Sequence, residues 1–153
     1  MWKYKDSIIE SIEEMPKSSF GFIYEVTHTP TGRKYIGKKV LYFERNKKLG
    51  KRALEELRLE RKTKGIGGRT PMKQKIVKES DWKTYYGSHK EIITLIKDKK
   101  QEEFTREILQ FVPTKKQLTY FECKYLFIKE VLEGNDYIND NVLAKFYRKD
   151  FEI

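Results

Sequence analysis

Two tyrosines, Tyr24 and Tyr35, sit in short apolar runs, "FGFIYEVTH" and "RKYIGKKVLYF", on either side of Thr29-Pro30-Thr31-Gly32. Aromatic and β-branched residues favour strands and Thr-Pro-Thr-Gly favours a turn, so the pattern predicts an antiparallel hairpin over 20–43. Such pairing can bring the two phenols onto one face as near neighbours. They are then either core aromatics or two hydroxyls offered to a ligand, with Lys38 beside them. Glu122 poses a sharper question. It lies on a predicted helix, with Leu118 and Leu126 one turn away on either side. An unpaired carboxylate pressed into an apolar stripe is costly. Either it sits at the exposed edge of that stripe, or it faces something positive. Arg45 is the mirror case, a cation eight residues beyond Gly37 at the start of a predicted helix.

The elements that must position these groups follow from periodicity and punctuation. Residues 5–14 read as an amphipathic helix carrying Ile8, Ile9 and Ile12, stopped by Pro16. A second helix is predicted over 47–63, where Leu54, Leu57 and Arg61 recur at helical spacing, and "KGIGGRTP" breaks it. Ser88-x-x-Glu91 has the form of a capping box ahead of Ile92, Ile93 and Ile96. "FTREILQFV" (104–112) reads as a strand. Thr114-x-x-Gln117 opens a long helix over 115–133, with Leu118, Phe121, Tyr125, Ile128 and Leu132 as its stripe and Gly134 as its stop. The expected architecture is a single α/β (α+β) domain over 1–153. A helix lies within 1–17, and a small three-stranded, mostly antiparallel sheet is flanked by helices. A basic helical insertion covers 46–80.

Composition limits the chemistry. The 153 residues are 38% hydrophobic and 14% aromatic, enough for a core of their own. Cys123 is the single cysteine and His28 and His89 the two histidines, so a Cys/His zinc finger is excluded and a histidine-cluster nuclease is disfavoured. With no long apolar run and no signal-type leader, the expectation is an intracellular protein that does not engage a membrane. Net charge is +10, and residues 45–80 hold thirteen Lys/Arg against four acids. A block of that kind is the footprint expected for a phosphate backbone, or else a solvated helix with a basic bias.

At Phe22-Ile23-Tyr24 and Tyr35-Ile36-Gly37 the sequence resembles the two strands of the GIY-YIG nuclease superfamily. Phe22 stands where the first glycine would be, with Gly21 adjacent. The resemblance continues at Arg45 and at Glu122, followed by Tyr125 and Leu126. A later asparagine is matched by Asn139 or Asn141. "KESDWKTYYGSHKEI", "FTREIL" and "YFECKYLFIKEVL" look like the Seg-type free-standing homing endonucleases of tailed bacteriophages. That likeness runs over about residues 20–145.

The resemblance implies a metal-dependent DNA endonuclease in the cytoplasm of an infected bacterium. One tyrosine, Tyr24 in the first instance, accepts the proton of the attacking water, its pKa lowered by Lys38 and a metal. Gly37 leaves room for backbone or phosphate. Arg45 grips the scissile phosphate. Glu122 binds one divalent cation, Mg²⁺ or Mn²⁺. The family's His or Tyr four residues after the arginine is Leu49 here, and its role passes to His89, Tyr85 or Tyr86, or is absent. Lys47, Lys48, Lys51, Arg52, Arg69, Lys73, Lys75 and Lys78 are the expected DNA contacts, positioning the duplex through its phosphates. Two rivals remain. Glu122-Cys123-Lys124 imitates the Glu-x-Lys of restriction-type nuclease cores, and the chain could bind nucleic acid through a degenerate site.

Overall fold

A computed structural model describes residues 1–152. In chain order its elements are β1 (Trp2–Tyr4), β2 (Ser7–Ile9), β3 (Gly21–His28), β4 (Lys34–Val40), β5 (Tyr42–Lys48), α1 (Lys51–Thr63), β6 (Lys73–Glu79), α2 (Lys90–Lys97), β7 (Phe104–Val112), α3 (Lys115–Ile128), β8 (Asn141–Val142) and β9 (Phe146–Tyr147). They fall into two compact units. One comprises Met1–Leu41 and Ser80–Ile153, the other Tyr42–Glu79. No helix among the described residues is long and apolar enough to cross a membrane.

The first unit is built on a mixed five-stranded sheet in the order β2-β1-β7-β3-β4. The expected hairpin is present. β3 and β4 pair antiparallel with Tyr24 opposite Gly37 and Val26 opposite Tyr35. The turn between them closes at Gly32, in the left-handed region at φ 70°. β7 flanks β3 on its other side, with a register shift between Ile23 and Tyr24. β3 is therefore central and buried on both faces, which explains its nearly continuous apolar run. One face carries Trp2, Phe22, Tyr24, Val26 and Ile108 under Trp82 and Ile92. The other packs Ile23, Ile36 and Val112 against Leu118 and Leu126 of α3.

The three-stranded expectation is too small, and the missing strands replace the predicted N-terminal helix. Residues 2–9 form a hairpin that turns at Lys5, φ 53°, and β1 runs parallel to β7. Trp2 decides this. Its ring is buried and its Nε1 donates to the carbonyl of Trp82 at 2.7 Å. Ile9 is buried while Ile8 is exposed, the alternation of a strand. Only Ile12–Glu14 coils, as one 3-10 turn whose Ser11 and Glu14 form a capping box. α3 is capped as expected, Thr114 accepting from the Gln117 amide at 3.1 Å. It ends at Ile128, earlier than predicted, and Ile128 is exposed rather than part of the stripe.

The second unit differs from the helical insertion expected there. β5 and β6 pair antiparallel over seven residues each, from Tyr42 opposite Glu79 to Lys48 opposite Lys73. Helix α1 and the glycine-rich loop connect their ends, and Arg61 ties the two by donating to the Gly67 carbonyl at 2.9 Å. Arg45 thus lies mid-strand, not at the start of a helix. The residues that flank it belong to the first unit and bond within that unit. Leu41 donates to Phe20, and Ser80 donates to Leu41.

Candidate active site at the edge of the sheet

β4 is one of the two edge strands of the five-stranded sheet, and a cavity of about 540 Å³ opens beside it. Tyr35, Lys38, Ser88, His89, Glu122 and Asp140 border it. They come from β4, the segment leading into α2, helix α3 and the segment after α3, so the site depends on how those elements are fastened.

Gly37 sets the tyrosine pair. A Cβ there would come within 2.6 Å of Tyr24 Cζ and 3.0 Å of Tyr35 Cε1. The Tyr24 ring therefore lies across the glycine. The space was expected to admit phosphate or backbone, and the ring occupies it instead. The two rings sit 6.3 Å apart at 43°. Tyr24 is almost fully buried, edge-on to Tyr85 at 5.9 Å. Its phenol pKa is pushed well up by burial and then by Tyr85, Tyr35 and Glu122. That is opposite to the lowering expected from Lys38. Tyr35 is half-buried, and its hydroxyl lies 3.0 Å from Ser88 Oγ. Burial and nearby Tyr85 and Glu122 raise its pKa as well, against the Ser88 hydrogen bond.

Glu122 is carried by α3, one turn from buried Leu118 and Leu126, which turn it toward the sheet. Of the two alternatives for this carboxylate, it faces a cation. Lys38 Nζ lies 3.9 Å from Glu122 Oε2 and donates to Thr119 Oγ1 at 3.1 Å. The compensation is incomplete, because burial raises the Glu122 pKa against the pull of Lys38.

His89, rather than Ser88, caps α2. Its Nδ1 accepts from the Glu91 amide at 3.2 Å, so Nε2 carries the hydrogen and donates to Asp140 Oδ2 at 2.9 Å. In this arrangement neither ring nitrogen offers a free lone pair. The His89 ring stands 5.9 Å from that of Tyr35.

Two polar side chains fix the walls. Arg106, buried on β7, donates to the carbonyls of Lys83 and Tyr85 at 2.9 and 2.7 Å. Its guanidinium lies 4.6 Å from the Trp2 ring and 4.1 Å from the Tyr86 ring. This holds the segment that delivers Tyr85, Ser88 and His89. Asn139 clasps the motif strand from outside. Its Oδ1 accepts from Ile36 N at 3.1 Å and its Nδ2 donates to Ile36 O at 2.8 Å. Asn141 instead accepts from the Ala144 amide.

Four of the expected site residues, Tyr35, Lys38, His89 and Glu122, therefore meet at one cavity, with Tyr24 behind them. Arg45, Lys47, Lys48, Lys51, Arg52, Arg69, Lys73, Lys75 and Lys78 belong to the second unit. Sequence reasoning missed Asp140, Ser88 as a partner of Tyr35, and Thr119. Only the Asn-Asp-Asn run at 139–141 hinted at the first.

No curated protein and no solved structure matches the chain. The family model described as "Putative endonuclease segE, GIY-YIG domain" matches residues 2–148. It spans both tyrosine strands, Arg45 and Glu122, together with the β1–β2 hairpin and the second unit. The chain belongs to the SegE-type GIY-YIG endonuclease domain family.

Proposed function

We propose that this chain is a metal-dependent DNA endonuclease of the phage homing type, and that it hydrolyses phosphodiesters in the cavity beside β4. The observation that carries this is Glu122, a half-buried carboxylate facing that cavity with one lysine at 3.9 Å. Among the described residues no group of three His, Cys, Asp or Glu could hold a metal. A single carboxylate, Glu122, would hold a hard cation that keeps most of its waters, Mg²⁺ or Mn²⁺. When bound, such an ion supplies positive charge to the leaving 3′ oxygen.

The protein groups do the rest. Tyr35, whose hydroxyl borders the cavity, takes the proton of the attacking water as phenolate. The water oxygen bonds to phosphorus, and the P–O3′ bond breaks. Burial and the Glu122 charge oppose that phenolate, and neutralising Glu122 removes one of them. Tyr24 backs the Tyr35 ring. Lys38 holds negative charge at the cavity mouth. His89, with both nitrogens engaged, orients the α2 start through Asp140. Arg45 of the second unit takes a DNA phosphate in its planar two-pronged grip, and the cations of that unit supply sequence-independent affinity.

The test is Glu122→Gln. Mg²⁺-dependent plasmid cleavage should disappear while circular dichroism and DNA affinity in EDTA are retained. Substantial residual cleavage excludes Glu122 as the essential ligand. A second reading, a DNA-binding protein that does not cut, draws on Phe22 in the glycine position and on His89 lacking a free lone pair. Wild-type affinity in EDTA with no cleavage in Mg²⁺ selects it.

A further inference from the structure

The two surfaces of the β5–β6 ribbon are chemically unlike. Residues directly opposite in an antiparallel pair point to the same side. The pairs Phe43–Lys78, Arg45–Ile76 and Lys47–Gln74 therefore share one surface. It bears three cations, two apolar side chains and one amide, and no acid. The other surface takes Tyr42, Glu44, Asn46 and Lys48 with Glu79, Val77, Lys75 and Lys73. There two acids offset three lysines, and Lys75 is already paired with Glu44 at 3.0 Å. Phe43 is about half exposed on the acid-free surface, beside a hollow of about 310 Å³ that Arg45, Ile76 and Lys78 border, with Glu44 at its rim.

Resting on the endonuclease reading above, we propose that the acid-free surface is laid into the major groove of duplex DNA and reads A·T pairs there. A two-stranded ribbon has the width the major groove admits. At about 3.4 Å per residue, Phe43 to Lys47 covers about 14 Å, close to four base pairs. Gln74 is the one neutral side chain there with both a donor and an acceptor, the set that matches adenine N6 and N7. Phe43 and Ile76 offer apolar contact to a thymine methyl. Lys47 and Lys78 reach phosphates on the groove walls. On this account Lys48 and Lys73, which oppose each other on the far surface, are peripheral.

Selection from a random duplex pool in EDTA, followed by sequencing of the bound fraction, tests this. The wild-type chain should enrich A·T over about four adjacent pairs. Gln74→Ala should lose preference at one position by on the order of ten-fold, with the salt dependence unchanged. Lys47→Ala with Lys78→Ala should flatten log K against log salt by about 1.8, from two phosphate contacts at about 0.9 each. Lys48→Ala with Lys73→Ala should change the slope by less than half of that. Failure of the wild type to bind DNA overturns the endonuclease reading and this inference with it. Binding with no A·T preference, a Gln74→Ala pool like the wild type's, or an equal slope change from the Lys48/Lys73 pair overturns the inference alone.

Discussion

Gly37→Ala adds one methyl group at the most crowded point of the site. The new Cβ would lie 2.6 Å from Tyr24 Cζ, and comfortable carbon contacts begin near 3.5 Å. The ring must move by roughly 1 Å or the strand must give way. Neither is free. Trp2, Phe22 and Tyr85 enclose Tyr24 with ring centroids at 5.4, 6.2 and 5.9 Å. β4 is paired with β3 on one side and clasped by Asn139 at Ile36 on the other. The cost should therefore fall at the upper end of the overpacking range, about 3 kcal/mol. For a chain of this size that lowers Tm by roughly 6–12 °C. Tryptophan fluorescence is the right probe, because both tryptophans, Trp2 and Trp82, lie in the core of the first unit. The control is the same substitution in a Tyr24→Leu background, which removes the ring atoms that clash. There Gly37→Ala should cost less than about 1 kcal/mol, leaving a coupling of about 2 kcal/mol between the two positions. Equal losses in both backgrounds would show that the ring does not set the need for glycine.

Other substitutions probe separate links. Arg45→Lys should slow single-turnover cleavage at saturating enzyme on the order of 100-fold, because a point charge does not reproduce a planar two-pronged grip. A near-normal rate would reduce Arg45 to a source of local potential. Arg106→Met should destabilise the first unit by about 2–4 kcal/mol, since two carbonyls lose a charged donor; an unchanged urea midpoint refutes that. Tyr24, Tyr35 and Tyr137 all have phenol pKa values raised in the fold, chiefly by burial. The folded state thus holds protons that the unfolded chain releases above about pH 10, so stability falls as pH rises beyond that point. The loss is at most about 1.4 kcal/mol per pH unit per group. Ultraviolet titration should show a late-ionising class among the ten tyrosines; simultaneous ionisation of all ten below the unfolding pH would contradict it.

What the sequence discloses follows contact range and burial. β3, β4 and α3 are legible because each carries its own local signal: an apolar run, a turn with Gly32, and a Thr114–Gln117 cap. The N-terminal hairpin is not, because its few apolar residues fit either period and the arbiter, Trp2, bonds to a carbonyl eighty positions away. The β5–β6 ribbon is hidden for a different reason. Exposed on nearly all its residues, it shows no alternation, and its charge density imitates a solvated helix. In the site, Glu122 stands out as a carboxylate in an apolar helical stripe, and Tyr35 through its place across the hairpin from Tyr24. Asp140 and Ser88 become partners only when α2, β4 and the segment after α3 converge, and no local pattern encodes that.

Asn139 and Asp140 finish a site begun at Tyr35, more than a hundred residues earlier in the chain, and Arg148 pins that segment by donating to the carbonyls of Val131, Tyr137 and Asn139. A ribosome adds about 5–20 residues per second. Tyr35 is therefore synthesised roughly 5–20 s before the side chains that complete the cavity wall. The order of synthesis thus builds in a delay: a nascent chain that stops short of Asn139 carries the tyrosine hairpin without the side chains that complete the cavity beside it.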